Sequence, residues 1–271
     1  MARFSVIGCG LIGGSLARAL REVHPGCELV GVEPSRSNRE AAIESGVFHH
    51  VGEAIDERVS GSNVVTICAP LSALEETLET LDPLVDERTI VTDTIGVKYA
   101  VVEMGENLLN HATFVGAHPM VGGALGGFDR ARADLFENAR VIICPEDDED
   151  ATNTVEAMWH SLGANVQRMS PNEHDRSVAT TSHLPYVVAL ALAELGTADP
   201  EALRASGPQW HDVTKRASFD PNVMADVSGQ NTYLPDRLRE LAARLNDLAD
   251  RAESDPEALH ALAAMVSERI R

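Results

Sequence analysis

Residues Phe4 to Leu20 read FSVIGCGLIGGSLARAL, and no other stretch constrains the fold so tightly. A short apolar run, Phe4–Ile7, meets Gly8-Cys9-Gly10-Leu11-Ile12-Gly13, and helix-forming residues follow. That is the strand, tight turn and helix start of a dinucleotide-binding unit. Gly8 permits the sharp turn, Gly10 lets backbone approach a pyrophosphate, and Gly13 lets helix and strand pack closely. The helix start, at Leu11 and Ile12, then offers free N–H groups and a positive dipole end to phosphates.

Glu28–Val32 is a second apolar run and ends at Glu33. An acidic residue about 20 positions beyond the glycine turn is placed to accept the ribose hydroxyls of NAD. Arg36 and Arg39 lie just beyond and could meet a 2′-phosphate, which keeps NADP as an alternative. Glu33 would repel that phosphate, so the charge pattern favours NAD. Further short apolar runs follow at Asn63–Cys68, Thr89–Thr92, Ala112–Ala117, Arg140–Cys144 and Asn165–Met169. Helical segments separate some of them: Arg39–Ser45, Leu74–Leu84 and Thr152–Leu162. The acidic stretch Glu146–Asp150 reads as a solvated helix start. Alternation of this kind over residues 1–170 predicts an α/β fold with a doubly wound, mostly parallel sheet.

From Ser170-Pro171 to the end at Arg271 the pattern is almost wholly helical. Asp175–Leu195 reads as a long helix, apolar enough in its second half to be buried on most sides and to form a subunit interface. Asp175 is expected to help cap it. Ala202–Lys215, Asn222–Gly229, Leu234–Ala252 and Pro256–Ile270 are further helices, and the leucines of Leu234–Ala252 read as core packing. Two domains are therefore expected, 1–170 and 171–271.

The net charge of −20 argues against nucleic acid or an anionic membrane as partner. No apolar run is read as approaching the roughly 20 residues of a membrane span, and no signal peptide is visible at the start. The four cysteines, Cys9, Cys27, Cys68 and Cys144, are scattered without metal-ligand spacing. They read as small buried hydrophobes in a reducing, cytoplasmic compartment, with no metal site.

Chemistry should sit where the strands end, because open α/β sheets bind ligands at their carboxyl edge. Ala69-Pro70 and the exit loop Asp93–Lys98, with Thr94, meet the cofactor there. His118 directly follows an apolar strand. Histidine titrates near neutrality and can take a hydroxyl proton as hydride leaves the same carbon. The glycine pairs Gly122-Gly123 and Gly126-Gly127 give a loop that could close over a ligand.

Five segments, GCGLIGGSLARAL, TDTIGVK, GAHPMVGG with DLFENARVIICP, HDRSVATTSHLPYVVALAL and DVTKRASFDPNVMADVSGQN, occur in this order between residues 4 and 231. Together they resemble the prephenate/arogenate dehydrogenase family. The resemblance implies an N-terminal Rossmann domain, a C-terminal helical dimerisation domain and a cleft between them. It implies oxidative decarboxylation of a cyclohexadienol such as prephenate with NAD(P), in a homodimer, with His118 as catalytic base. It also places Gly96, His174, His183, Tyr186, Lys215 and Arg216 near a small carboxylate substrate.

The departures from the family pattern cluster on that substrate side. Gly96 stands where the family commonly has serine, Ala124 where it has an acid, Tyr186 where it has histidine, Met224 where it has tryptophan, and Lys215 where it has arginine. Lysine binds a carboxylate as a point charge without the bidentate fork. A paralogue acting on an altered carboxylate, such as an amino-substituted prephenate, is therefore a competing expectation. Two others are a β-hydroxyacid dehydrogenase or imine reductase-like enzyme, and an NAD sensor without chemistry. The first would want a lysine in the long helix, and Asp175–Leu195 has none.

Overall fold

The computed structural model describes residues 2–270 apart from Ala124, Glu146 and Pro256; the side chains of Asn222, Val223, Val227, Ala258 and Ile270 are likewise outside the description. The first part runs β1 (Arg3–Ile7), α1 (Leu11–Val23), β2 (Glu28–Val32), α2 (Arg36–Glu44), β3 (His50–Gly52), β4 (Val64–Ile67), α3 (Leu74–Leu81), β5 (Ile90–Asp93), α4 (Tyr99–Leu108), β6 (Thr113–Pro119), β7 (Arg140–Cys144), α5 (Glu149–Ser161) and β8 (Asn165–Arg168). The second runs α6 (Pro171–Val178), a π-helical turn (Ala179–His183), α7 (Leu184–Thr197), α8 (Pro200–Arg204), α9 (Pro208–Thr214), a 3-10 turn (Lys215–Ser218), α10 (Pro221–Gln230), α11 (Leu234–Ser254) and α12 (Ala258–Ile270).

The eight strands form one sheet in the order β3-β2-β1-β4-β5-β6-β7-β8. The order reverses between β1 and β4, so the loops leaving those strands part and open a crevice at the carboxyl edge. One apolar cluster packs α1 and α5 on one face, and a second packs α3 and α4 on the other. This is the doubly wound sheet that the alternation predicts.

Several elements differ from the sequence reading. β3, only three residues long, and α4 carry too little pattern to be read. The β6–β7 pair is antiparallel, with His118 opposite Ile142. β6 also runs on through His118 and Pro119 instead of stopping at Ala117. The acidic stretch is a helix start, with Asp148 capping α5 through Ala151 N–H at 3.0 Å; Glu146 lies outside the described residues.

The long C-terminal helix is broken by the π-helical turn, which shifts the face that α7 presents. It is not buried on most sides within one chain. Only Tyr186, Ala189 and Gly196 of α7 are buried, and Leu195 is 71% exposed. The leucines of α11 are likewise not core: only Leu234 is buried there. Contrary to the sequence reading, the helical run Pro171–Thr197 is long and apolar enough, by length and composition, to cross a membrane. Its first half is committed to hydrogen bonds with the sheet domain, described next.

Candidate active site

The glycine turn has the geometry a dinucleotide needs. Gly8 has φ +94°, and a Cβ there would lie 2.7 Å from the Cys68 carbonyl oxygen. At Gly13 a Cβ would sit 1.9 Å from the Gly8 oxygen, so α1 could not approach β1. At Gly10 a Cβ would meet nothing within 4 Å. The space above it is open, and α1 begins there with no side-chain cap, leaving its first N–H groups, at Leu11 and Ile12, for a phosphate.

Glu33 sits at the end of β2. Its carboxylate accepts from Cys9 N–H and Ser35 N–H, both at 2.8 Å, which fixes it beside the turn with acceptor capacity left for ribose hydroxyls. Arg39 is not free to meet a 2′-phosphate. It donates to the Glu33 and Pro34 carbonyls and to the Glu53 carboxylate. Arg36 is exposed and paired with Glu40. Ala69, Pro70 and Thr94 lie just past the ends of β4 and β5, on the same edge of the sheet. These residues fit NAD. Burial pushes the Cys9 thiol up and the Cys68 thiol up to about 12, so neither is a thiolate beside the turn.

His118 lies near the end of β6, beyond the last residue that pairs with β5. Side chains take over the ladder there. Asp93, at the end of β5, accepts from Ala117 N–H at 2.9 Å. The ammonium of Lys98, wholly buried, is paired with Asp93 and donates to the Ala117 carbonyl at 3.0 Å. Both peptide groups of the residue before His118 are thereby clamped.

His118 Nδ1 is hydrogen-bonded to His174 Nε2 at 2.8 Å, and His174 Nδ1 to Asp175 Oδ1 at 2.7 Å. Asp175 also accepts from Lys98 N–H at 2.7 Å and Tyr99 N–H at 2.9 Å. Asp175 therefore caps α4 and not its own helix, which Ser170 and Glu173 cap reciprocally. His183 accepts from Asn231 Nδ2 at 3.1 Å and hydrogen-bonds the Gly96 backbone. Asn231 Nδ2 also donates to the Asp175 carbonyl at 2.8 Å.

His174 and His183, expected near the substrate, are buried with both ring nitrogens hydrogen-bonded. They stand behind His118, whose ring is only partly buried. Tyr186 is buried one turn beyond His183. Lys215 and Arg216 are exposed on the 3-10 turn packed against α7, and no described contact joins them to the histidines. Ala124 lies outside the described residues.

Desolvation, then the neighbouring His174, Lys98 and His183, hold His118 well below the ordinary histidine range. Burial lowers His174 as well, against the pull of Asp175, and lowers His183 to about 4. All three rings are thus kept neutral at physiological pH.

Comparison with known proteins bears on what this cluster is for. Residues 16–168 match the family model described as prephenate dehydrogenase, nucleotide-binding domain, and residues 170–265 the one described as prephenate dehydrogenase, dimerization domain. The chain belongs to the prephenate dehydrogenase family. A prephenate dehydrogenase of Bacillus subtilis (strain 168) is 30% identical over 260 residues, covering 92% of this chain and 69% of that protein. A crystal structure of prephenate dehydrogenase from A. aeolicus, in complex with hydroxyphenyl propionate and NAD+, superposes with a TM-score of 0.92 at 27% identity, over 100% of this chain and 98% of the other. Synechocystis arogenate dehydrogenase superposes at 0.81 with 28% identity, over 98% of each chain. As a member of this family the chain is an NAD-dependent dehydrogenase, and its reaction class is the oxidative decarboxylation of prephenate or arogenate.

The sequence reading placed Asp93 and Lys98 in an exit loop without their pairing behind His118, and gave Asp175 to its own helix. One signal was available for Lys98: the chain uses arginine almost throughout and has only two lysines.

Proposed function

We propose that His118 is the general base of this reaction, acting through Nε2. The observation that carries the proposal is that Nδ1 is occupied by His174 while Nε2 has no partner among the described hydrogen bonds, on a neutral ring at the carboxyl edge of the sheet. Gly8, Gly10, Leu11, Ile12, Gly13, Glu33, Ala69, Pro70 and Thr94 hold the cofactor. When bound, NAD+ supplies the acceptor for the hydride that leaves the ring carbon bearing the hydroxyl. His118 Nε2 takes the hydroxyl proton, and loss of carbon dioxide makes the ring aromatic.

Carboxylate recognition is assigned to Lys215 and Arg216, with Tyr186 and the Gly96 loop lining the substrate side. Among the described residues Lys215 pairs with Asp212 at 3.7 Å, at an exposed site. A pair of that kind is worth about 0–1 kcal/mol, so a substrate carboxylate can displace it. The working form is a cytoplasmic homodimer. Leu190, Leu195, Leu245, Leu259 and Met265 leave the helical domain with apolar surface for a second copy to cover.

The test compares parent and His118→Asn with prephenate, arogenate and an amino-substituted prephenate, following NADH formation. The parent should turn over prephenate or arogenate, with the acid limb of kcat/KM below the ordinary histidine range because His118 stays unprotonated there. The variant should lose roughly 100- to 10,000-fold in kcat while binding NAD as before. Turnover within tenfold of the parent would refute the base assignment. Preference for the amino analogue over both other acids would move the substrate and leave His118 in place.

A further inference from the structure

We infer that Asp175 and His174 are positioning residues that fix the tautomer of His118, so that the base is complete only where the helical domain docks on the sheet domain. The inference rests on His118 being the base.

The hydrogen bonds leave one consistent assignment of protons. Asp175 receives two backbone N–H groups, from Lys98 and Tyr99, so its carboxylate acts as acceptor throughout. His174 Nδ1, at 2.7 Å from Oδ1, must then carry a hydrogen. A neutral His174 has no second N–H, so its Nε2 accepts. The hydrogen between the rings therefore belongs to His118 Nδ1, at 2.8 Å. What remains on His118 Nε2 is a lone pair, the state a base needs. When Nε2 takes a proton, the new charge is joined to Asp175 through two hydrogen bonds, much as a buried aspartate orients and stabilises the histidine of a catalytic triad.

The members come from both domains. His118 is on β6, whereas His174 and Asp175 are on α6, the first helix after the sheet. The chain of contacts closes on itself. Asp175 holds the backbone of Lys98, and the Lys98 side chain holds the Ala117 carbonyl next to His118. Asn231, at the end of the α10 segment, holds the carbonyl of Asp175. A shift of α6 against α4 would break the ring–ring bond and the α4 cap together. The charged and titratable groups around His118 are His174 and Asp175 from α6, Asp93 from β5, Lys98 from the loop before α4 and His183 from the π-helical turn.

Three variants of the full chain test this. Asp175→Asn removes the charge of the carboxylate, while the oxygen that remains at the Oδ1 position still accepts from Lys98 N–H and His174 Nδ1. His174→Phe removes the ring-to-ring bond without touching the α4 cap, and so remains informative if Asp175→Asn fails to fold. His174→Gln restores an acceptor for His118 Nδ1. We expect kcat to fall about 100-fold or more in the first two, with NAD affinity within about twofold of the parent, and at least tenfold of that loss to return in His174→Gln. Nitrogen-15 spectra of the imidazoles should show His118 Nε2 unprotonated in the parent and partly protonated in His174→Phe, where Nδ1 has lost its acceptor. Parent-like kcat in His174→Phe, or an unchanged His118 tautomer in that variant, would overturn the inference. If His118→Asn kept its activity, the base assignment itself would fail; a dead His118→Asn beside active His174→Phe would remove only the positioning role.

Discussion

Acid should destabilise this protein through His183 in a way that can be isolated. The ring is 2% exposed, and burial lowers it from 6.5 to about 4. The folded chain thus keeps His183 neutral where the unfolded chain protonates it. The stability tied to the neutral ring is fully present above pH 6.5. It falls as pH drops through the window between the two values and levels off below about 4. The whole gap corresponds to about 3 kcal/mol, of which about 2 kcal/mol is already lost at pH 5. His118 and His174 are lowered too and add to the loss in the same direction. The perturbation is His183→Asn, whose side-chain oxygen can still accept from Asn231. Urea unfolding is measured at pH 8 and pH 5 for parent and variant, at one salt and one protein concentration. The variant starts less stable at pH 8 because it leaves a cavity. Its loss between pH 8 and pH 5 should be smaller than the parent's by about 2 kcal/mol, since the carboxylates titrate alike in both. Equal losses, within about 0.5 kcal/mol, would refute the claim that His183 is buried neutral.

The two inner glycines of the turn should separate cofactor binding from folding. Gly10→Ala meets no protein atom, so thermal stability should hold while NAD affinity, read by fluorescence titration, drops by roughly tenfold or more, about 1.4 kcal/mol. Gly13→Ala drives a methyl into the Gly8 carbonyl and should cost about 1–3 kcal/mol of stability as well, measured in urea. Lys98→Met leaves Asp93 buried without its cation and should cost about 3–5 kcal/mol, measured in urea.

The sheet domain was legible because its signals are local. A strand, a turn with glycines at fixed spacing and a helix occupy Phe4 to Leu20 without help from elsewhere. Glu33 and His118 were legible for a related reason. Each ends a strand, and the carboxyl edge of a parallel sheet is where such residues meet ligands. The family motifs run in order along the chain, so the reaction class could be read with them.

The arrangement behind His118 was not legible, because it is made by contacts that sequence distance hides. Asp175 looks like a cap for the helix it sits on, yet it caps a helix that begins 76 residues earlier. Asp93 and Lys98 look like an exit loop until the fold brings β6 past the end of β5 and leaves Ala117 without a ladder partner on that side. His174 and His183 read as residues near the substrate, and the fold commits their ring nitrogens to hydrogen bonds that the sequence does not show. The apolar pattern of α7 reads as a helix that needs covering, but periodicity does not say whether the cover comes from the same chain. The sequence by itself determined the sheet, the cofactor turn and the place of His118 near the end of a strand, because each depends on residues close together in the chain. The tertiary structure alone decided which nitrogen of His118 is free, because that depends on a line of hydrogen bonds drawn from two domains.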